Sequence, residues 1–127
     1  MRFWPALILA LAVFVASPTP SSLVTQAAAQ EDSVAVPVAN TRWRGYVRWS
    51  NGEITEWTAL FRRDGVLEYS YGGQRYDNGR WTQNNHLVYW HTNNSFAVYS
   101  GTIAGNSMGG ASHNQRNDTG VWIFVRD

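Results

Sequence analysis

Between Thr41 and Asp127 apolar and polar residues alternate in eight short runs, near 42–49, 54–62, 66–72, 75–82, 86–92, 96–104, 107–114 and 120–126. Alternation with a period of two marks a strand with one buried face. Turn residues part the runs: Asn51-Gly52, Asp64-Gly65, Gly72-Gly73, Gln83-Asn84-Asn85, Asn93-Asn94, Gly105-Asn106 and Arg116 to Thr119. These residue types accept positive φ or make local side-chain bonds. No stretch sustains a helical period, so almost no helix is expected. Short runs with short connections predict an all-β fold, a small eight-stranded antiparallel up-and-down barrel over 41–127, because closure removes unpaired edges.

The first two hairpins permit a register prediction. If Ser50-Asn51-Gly52 and Arg63-Asp64-Gly65 are three-residue loops with a left-handed glycine, Trp49 pairs with Glu53, Val47 with Thr55, Gly45 with Trp57 and Trp43 with Ala59. Phe61 then pairs with Leu67, Ala59 with Tyr69 and Trp57 with Tyr71. One face collects Trp43, Val47, Trp49, Trp57, Ala59, Phe61, Leu67, Tyr69 and Tyr71 and is expected inside. The other carries Arg42, Arg44, Arg48, Glu56, Arg62 and Glu68. Two-residue loops would mix these sets, since a one-residue slip reverses every side chain. In the fourth run Tyr76 and Trp81 have opposite parity, and a bulge at Asn78-Gly79 would bring them to one face. The eighth run is apolar on both faces, Trp122 and Phe124 against Val121, Ile123 and Val125. Its outer surface is therefore expected to be covered, by the preceding tail or by a second subunit.

Ahead of the barrel, Arg2 and the apolar run Ala6 to Ala16 read as the start of a signal peptide, with cleavage after Ala29. The run is too short to cross about 30 Å of hydrocarbon as a helix. Residues 1–29 are thus expected to direct export to a periplasmic or extracellular location. Residues 30–40 carry Glu31, Asp32 and Pro37 without an aromatic, and read as a flexible tail.

Charge and composition narrow the partners. There is no cysteine, so an exported domain of this kind rests on its core and sheet rather than on disulfides. All ten basic residues are arginine, and removal of Arg2 leaves them balanced against nine acidic residues. That balance gives no electrostatic case for nucleic acid or an anionic membrane. A membrane-spanning barrel would put Arg42, Arg44, Arg48, Arg62 and Glu68 into lipid, so no membrane insertion is expected after signal cleavage.

Candidate chemistry is sparse. His86, His91 and His113 lack metal-ligand spacing, and neither a metal nor another cofactor is expected. The carboxylates fall in turns or on the outer face, and no serine sits in a nucleophile elbow, so the chain reads as a non-enzyme. The aromatics carry the functional expectation. Trp57, Tyr69, Tyr71, Trp90 and Tyr99 either fill the barrel or line a ligand cavity, and an inward Arg80 would favour the cavity. The first reading is a barrel binding a small, partly apolar ligand in that interior. The alternative is a solid barrel that meets protein partners, such as a protease inhibitor or an envelope assembly subunit, possible homo-oligomers included.

The strand rhythm resembles the calycin-like small barrels, the lipocalin and avidin group. Trp43-Arg44-Gly45 looks like a reordered form of the Gly-x-Trp that opens such barrels. The segment Val88-Tyr89-Trp90-His91-Thr92-Asn93-Asn94, followed by Tyr99-Ser100-Gly101, is similar to an avidin hairpin. The resemblance implies a ligand-holding barrel, and an Arg126 that packs over Trp43 to cap one end. It carries no particular ligand with it.

Overall fold

The structure is a computed structural model and describes residues 34–127. The expected signal peptide and tail residues 30–33 lie outside the described residues. Eight strands follow one another: β1 (Thr41–Trp49), β2 (Ile54–Phe61), β3 (Val66–Tyr71), β4 (Gln74–Asn84), β5 (Leu87–Thr92), β6 (Ala97–Ala104), β7 (Ser107–Asn114) and β8 (Thr119–Arg126). Each pairs antiparallel with the next, and β8 pairs with β1 to close the barrel.

Turn chemistry sets the register. Gly52 and Gly65 take φ of 93° and 90°, where a side chain is strained. Trp49 N–H donates to Glu53 O at 2.9 Å and Arg62 N–H to Val66 O at 2.9 Å, closing two three-residue loops. Asn51 Oδ1 accepts from Glu53 N at 2.9 Å, and Asp64 Oδ1 from Val66 N at 3.2 Å, so the same side-chain device holds both. The ladder then matches Val47 with Thr55, Gly45 with Trp57, Trp43 with Ala59, Ala59 with Tyr69 and Phe61 with Leu67, as the loops predict. Between β3 and β4 the register shifts: Leu67 faces Gly79 but Tyr69 faces Tyr76. One extra residue of β4 is accommodated there, and the bulge puts Tyr76 and Trp81 on the inner side.

Alternation separates the two surfaces. Trp43, Val47, Trp57, Phe61, Leu67, Val88, Trp90, Tyr99, Ile103, Trp122 and Phe124 are buried, while Arg42, Arg44, Arg48 and Glu56 are exposed. So many large rings fit inside only because small residues oppose them. A Cβ at Gly45 would overlap Ile123 O and the Phe124 ring, and one at Gly101 would lie 2.7 Å from the Trp122 ring. On β8, Val121, Ile123 and Val125 stay outside, and Ile123 is 60% exposed, so the described residues leave this face uncovered.

The tail expectation needs correction over 36–40. Val38 is fully buried and Val36 packs on the core. Gln83 Oε1 accepts from Val38 N at 3.0 Å, and Gln83 Nε2 donates to Val36 O at 2.8 Å. Asn40 N donates to Phe61 O at 2.5 Å, and Thr41 Oγ1 to Val38 O at 2.5 Å. Two valines and one complementary amide thus dock a segment that composition alone reads as unfolded. The structure places Arg126 beside Trp43, at the end of the barrel. Arg126 pairs with Trp43 across β1 and β8 but is exposed, while the sealed Trp43 indole donates to Thr41 Oγ1 at 2.7 Å.

Candidate functional site

The end of the barrel opposite the Val38 segment opens into a cup of about 510 Å³. Its rim comes from the β1–β2, β3–β4, β5–β6 and β7–β8 connections, and its walls from the last inward residues of the strands. Trp57 on β2, Tyr69 and Tyr71 on β3 and Tyr76 on β4 form one wall. Their rings lie nearly parallel: Trp57 is 4.8 Å from Tyr69 at 13° and 5.4 Å from Tyr71 at 9°. Tyr76 continues the ladder at 5.1 Å from Tyr69 and 5.4 Å from Tyr71. Strand spacing of about 4.8 Å stacks inward rings on neighbouring strands in this way. Tyr99 meets Trp57 edge-on at 5.4 Å, and Trp49 meets Tyr99 edge-on at 6.1 Å.

Hydrogen bonds lock the wall. Tyr69 OH donates to Asn78 Oδ1 at 2.5 Å, Tyr76 OH to Gln74 Oε1 at 2.7 Å and Trp57 Nε1 to Thr55 Oγ1 at 3.0 Å. The buried Thr92 hydroxyl lies against both Tyr69 and Tyr99. Burial pushes the Tyr69 hydroxyl up to about 12, with Thr92 and Asn78 pulling back against it. Burial raises Tyr99 further and also raises Tyr71, the latter helped by Tyr76 and Glu53. These phenols are therefore neutral at physiological pH, and formal charge in the lining is confined to Glu53, Arg116 and Asp118.

Of the residues singled out by sequence, Trp57, Tyr69, Tyr71 and Tyr99 come together in the cup. Trp90 does not line it. On β5 the inward positions are Val88, Trp90 and Thr92, so Thr92 holds the cup level and Trp90 lies one layer deeper. There it stacks on Tyr99 at 5.1 Å and on Phe124 at 5.6 Å, and its Nε1 has no acceptor among the described residues. Arg80 is outside. It alternates with the inward Gly79 and Trp81, is exposed, and donates from Nη1 to Gly79 O at 3.1 Å. Sequence reading missed the polar half of the cup: Asn51, Glu53, Asn78, Thr92, Asn93, Asn114, Arg116 and Asp118. Parity could have found Thr92, two residues beyond the inward Trp90 and next to a turn.

His91 and His113 both pair with Val98, from opposite sides, so β6 runs between them. Among the described residues no three metal-ligating side chains cluster. No family model matches the chain, and no curated protein or solved structure matches it either.

Proposed function

We propose that this chain is an exported, non-enzymatic barrel that binds a small, partly apolar molecule in its aromatic cup. One observation carries the reading: a 510 Å³ cup with a four-ring wall opens at one end of a barrel sealed at the other. That volume lies in the range of small-molecule sites, which join apolar walls to a few placed polar groups. The rings are already stacked and bonded, so binding would cost little ordering. The non-enzymatic part rests on the cup's carboxylates, Glu53 and Asp118, which stand in and beside different hairpin loops without a histidine in the lining. Native mass spectrometry on protein recovered from its own compartment tests the reading. Retained small-molecule mass that disappears in Trp57→Ala supports it; no retained mass, with tryptophan emission unmoved by a broad ligand panel, counts against it.

The outer face of β8 favours a second reading, in which the contacts are with protein. Val121, Ile123 and Val125 are 57%, 60% and 46% exposed, and Tyr46 and Ile54 extend the stripe across β1 and β2. An exposed apolar row of this kind, flanked on β1 by Arg44 and Arg48, suits a protein partner or a second copy.

A further inference from the structure

The rim of the cup has a bias that its residue types alone do not show. Four asparagines line it, and in three of them, Asn51, Asn78 and Asn114, the side-chain oxygen is already taken. Asn51 Oδ1 accepts from Glu53 N at 2.9 Å. Asn78 Oδ1 accepts from Tyr69 OH at 2.5 Å and Asn93 N at 3.3 Å. Asn114 Oδ1 accepts from Arg116 N at 2.9 Å and Asp118 N at 3.2 Å. A backbone N–H can only donate, so these contacts also establish which amide atom is oxygen. What remains for a ligand is the amino side. Asn114 Nδ2 leans on Asp118 Oδ2 at 3.5 Å, whereas Nδ2 of Asn51 and of Asn78 is unengaged among the described residues.

Amide donors therefore share the rim with two carboxylates, Glu53 and Asp118, and one guanidinium, Arg116. A hydroxyl group answers both kinds, because its oxygen accepts from an amide N–H while its proton goes to a carboxylate. A hydrocarbon ligand would strand the amino groups of Asn51 and Asn78 without water. An anionic ligand would meet two carboxylates against one arginine. The aromatic ladder asks for the opposite property, an apolar surface, because its rings cover one another's faces and leave their C–H edges for a ligand. A ring with hydroxyls on its edge and C–H groups on its face meets both demands.

We propose that the cup takes a neutral sugar ring, the end of an oligosaccharide, with its C–H groups against the ring edges of the Trp57–Tyr71–Tyr76 wall and its hydroxyls on Asn51, Asn78 and Glu53. The inference rests on the cup being a ligand site, and specifies its chemistry. Asn78 is the discriminating residue, since Asn78→Asp keeps the Oδ1 that Tyr69 needs and turns the donor into a charged acceptor.

The test titrates the full exported chain, followed by tryptophan emission, with the neutral trisaccharides maltotriose, cellotriose and chitotriose. Sialyllactose, decanoate and 2-naphthol serve as the acidic, aliphatic and aromatic comparators. At least one neutral trisaccharide is expected to give a saturable shift. Tyr71→Ala and Asn78→Asp should each weaken it by about tenfold or more, with the thermal midpoint of Asn78→Asp unchanged. Saturation by decanoate or 2-naphthol, lost in Trp57→Ala, with no response to any trisaccharide overturns the sugar inference and leaves the cup as a ligand site. Preference for sialyllactose, or sugar binding indifferent to Asn78→Asp, overturns it as well. Silence toward every probe, with no retained mass on native protein, removes both the inference and the cup reading beneath it.

Discussion

Tyr69 donates its hydroxyl to Asn78 Oδ1 at 2.5 Å, and Asn78 sits in the bulge where the β3–β4 register shifts. A local irregularity of one strand thereby holds the central ring of the cup wall. Tyr69 is buried and its hydroxyl titrates near 12, above the ordinary phenol value of about 10. The folded state thus binds this proton more tightly than the unfolded chain. Its contribution to stability is whole below about pH 10 and is lost as pH rises through about 12. Urea midpoints are expected to hold to pH 10 and then fall, with a shallower fall in Tyr69→Phe. Parallel curves for the two proteins above pH 10 would contradict the burial of this hydroxyl.

The sealed end depends on Val38 and Gln83. Val38→Ala removes buried volume between the docked segment and the core, and is expected to cost about 2 kcal/mol. Gln83→Ala loses both bonds to the segment and should cost about 1–3 kcal/mol. Urea denaturation of each variant is the check. Loss below about 0.5 kcal/mol in both would mean that the segment does not close the barrel.

Gly45 predicts a steeper penalty. A methyl group there runs into the β8 backbone and the Phe124 ring, neither of which can yield without moving the core. Gly45→Ala is expected to cost about 3 kcal/mol or more, against a small cost for Ser107→Ala on the exposed side of β7. Thermal melts of the two variants compare them directly, and equal midpoints would contradict the packing described.

Much of this architecture was legible in the chain. Asn51-Gly52 and Asp64-Gly65 each specify one loop geometry, and the loop fixes which residues share a face. The Tyr76–Trp81 parity conflict announces the β4 bulge. The expectation of Arg80 as a ligand-binding residue fails on the same parity, because it neighbours Trp81 in an extended strand and both cannot point inward. Depth was not legible. Trp90 and Tyr99 are paired across β5 and β6, yet one lies beneath the cup and the other lines it, since stagger around the barrel decides the layer. Nor does composition reveal that Gln83 would bind the chain at Val36 and Val38, a contact spanning 45 residues or more. Of the rim amides, Asn51 reads as a turn former, Asn78 as a bulge residue and Asn114 as the end of a strand. Their oxygens hold local backbone N–H groups, and that leaves the amino groups of Asn51 and Asn78 for the cup.

The β8 stripe gives a prediction of its own. If it contacts protein, Ile123→Glu should abolish self-association in sedimentation velocity or capture of a partner, while ligand response in the cup is kept. Ile123 is 60% exposed, so the substitution need not disturb the core. Unchanged sedimentation and partner capture in Ile123→Glu would remove the second reading.

The most direct test of the central claim is native mass spectrometry of the chain recovered from its own compartment, beside Trp57→Ala prepared identically. The account predicts a bound small-molecule mass on the first protein and its absence from the second, with both folded. Bare protein in both samples, or the same adduct on each, would contradict a ligand held by the aromatic cup.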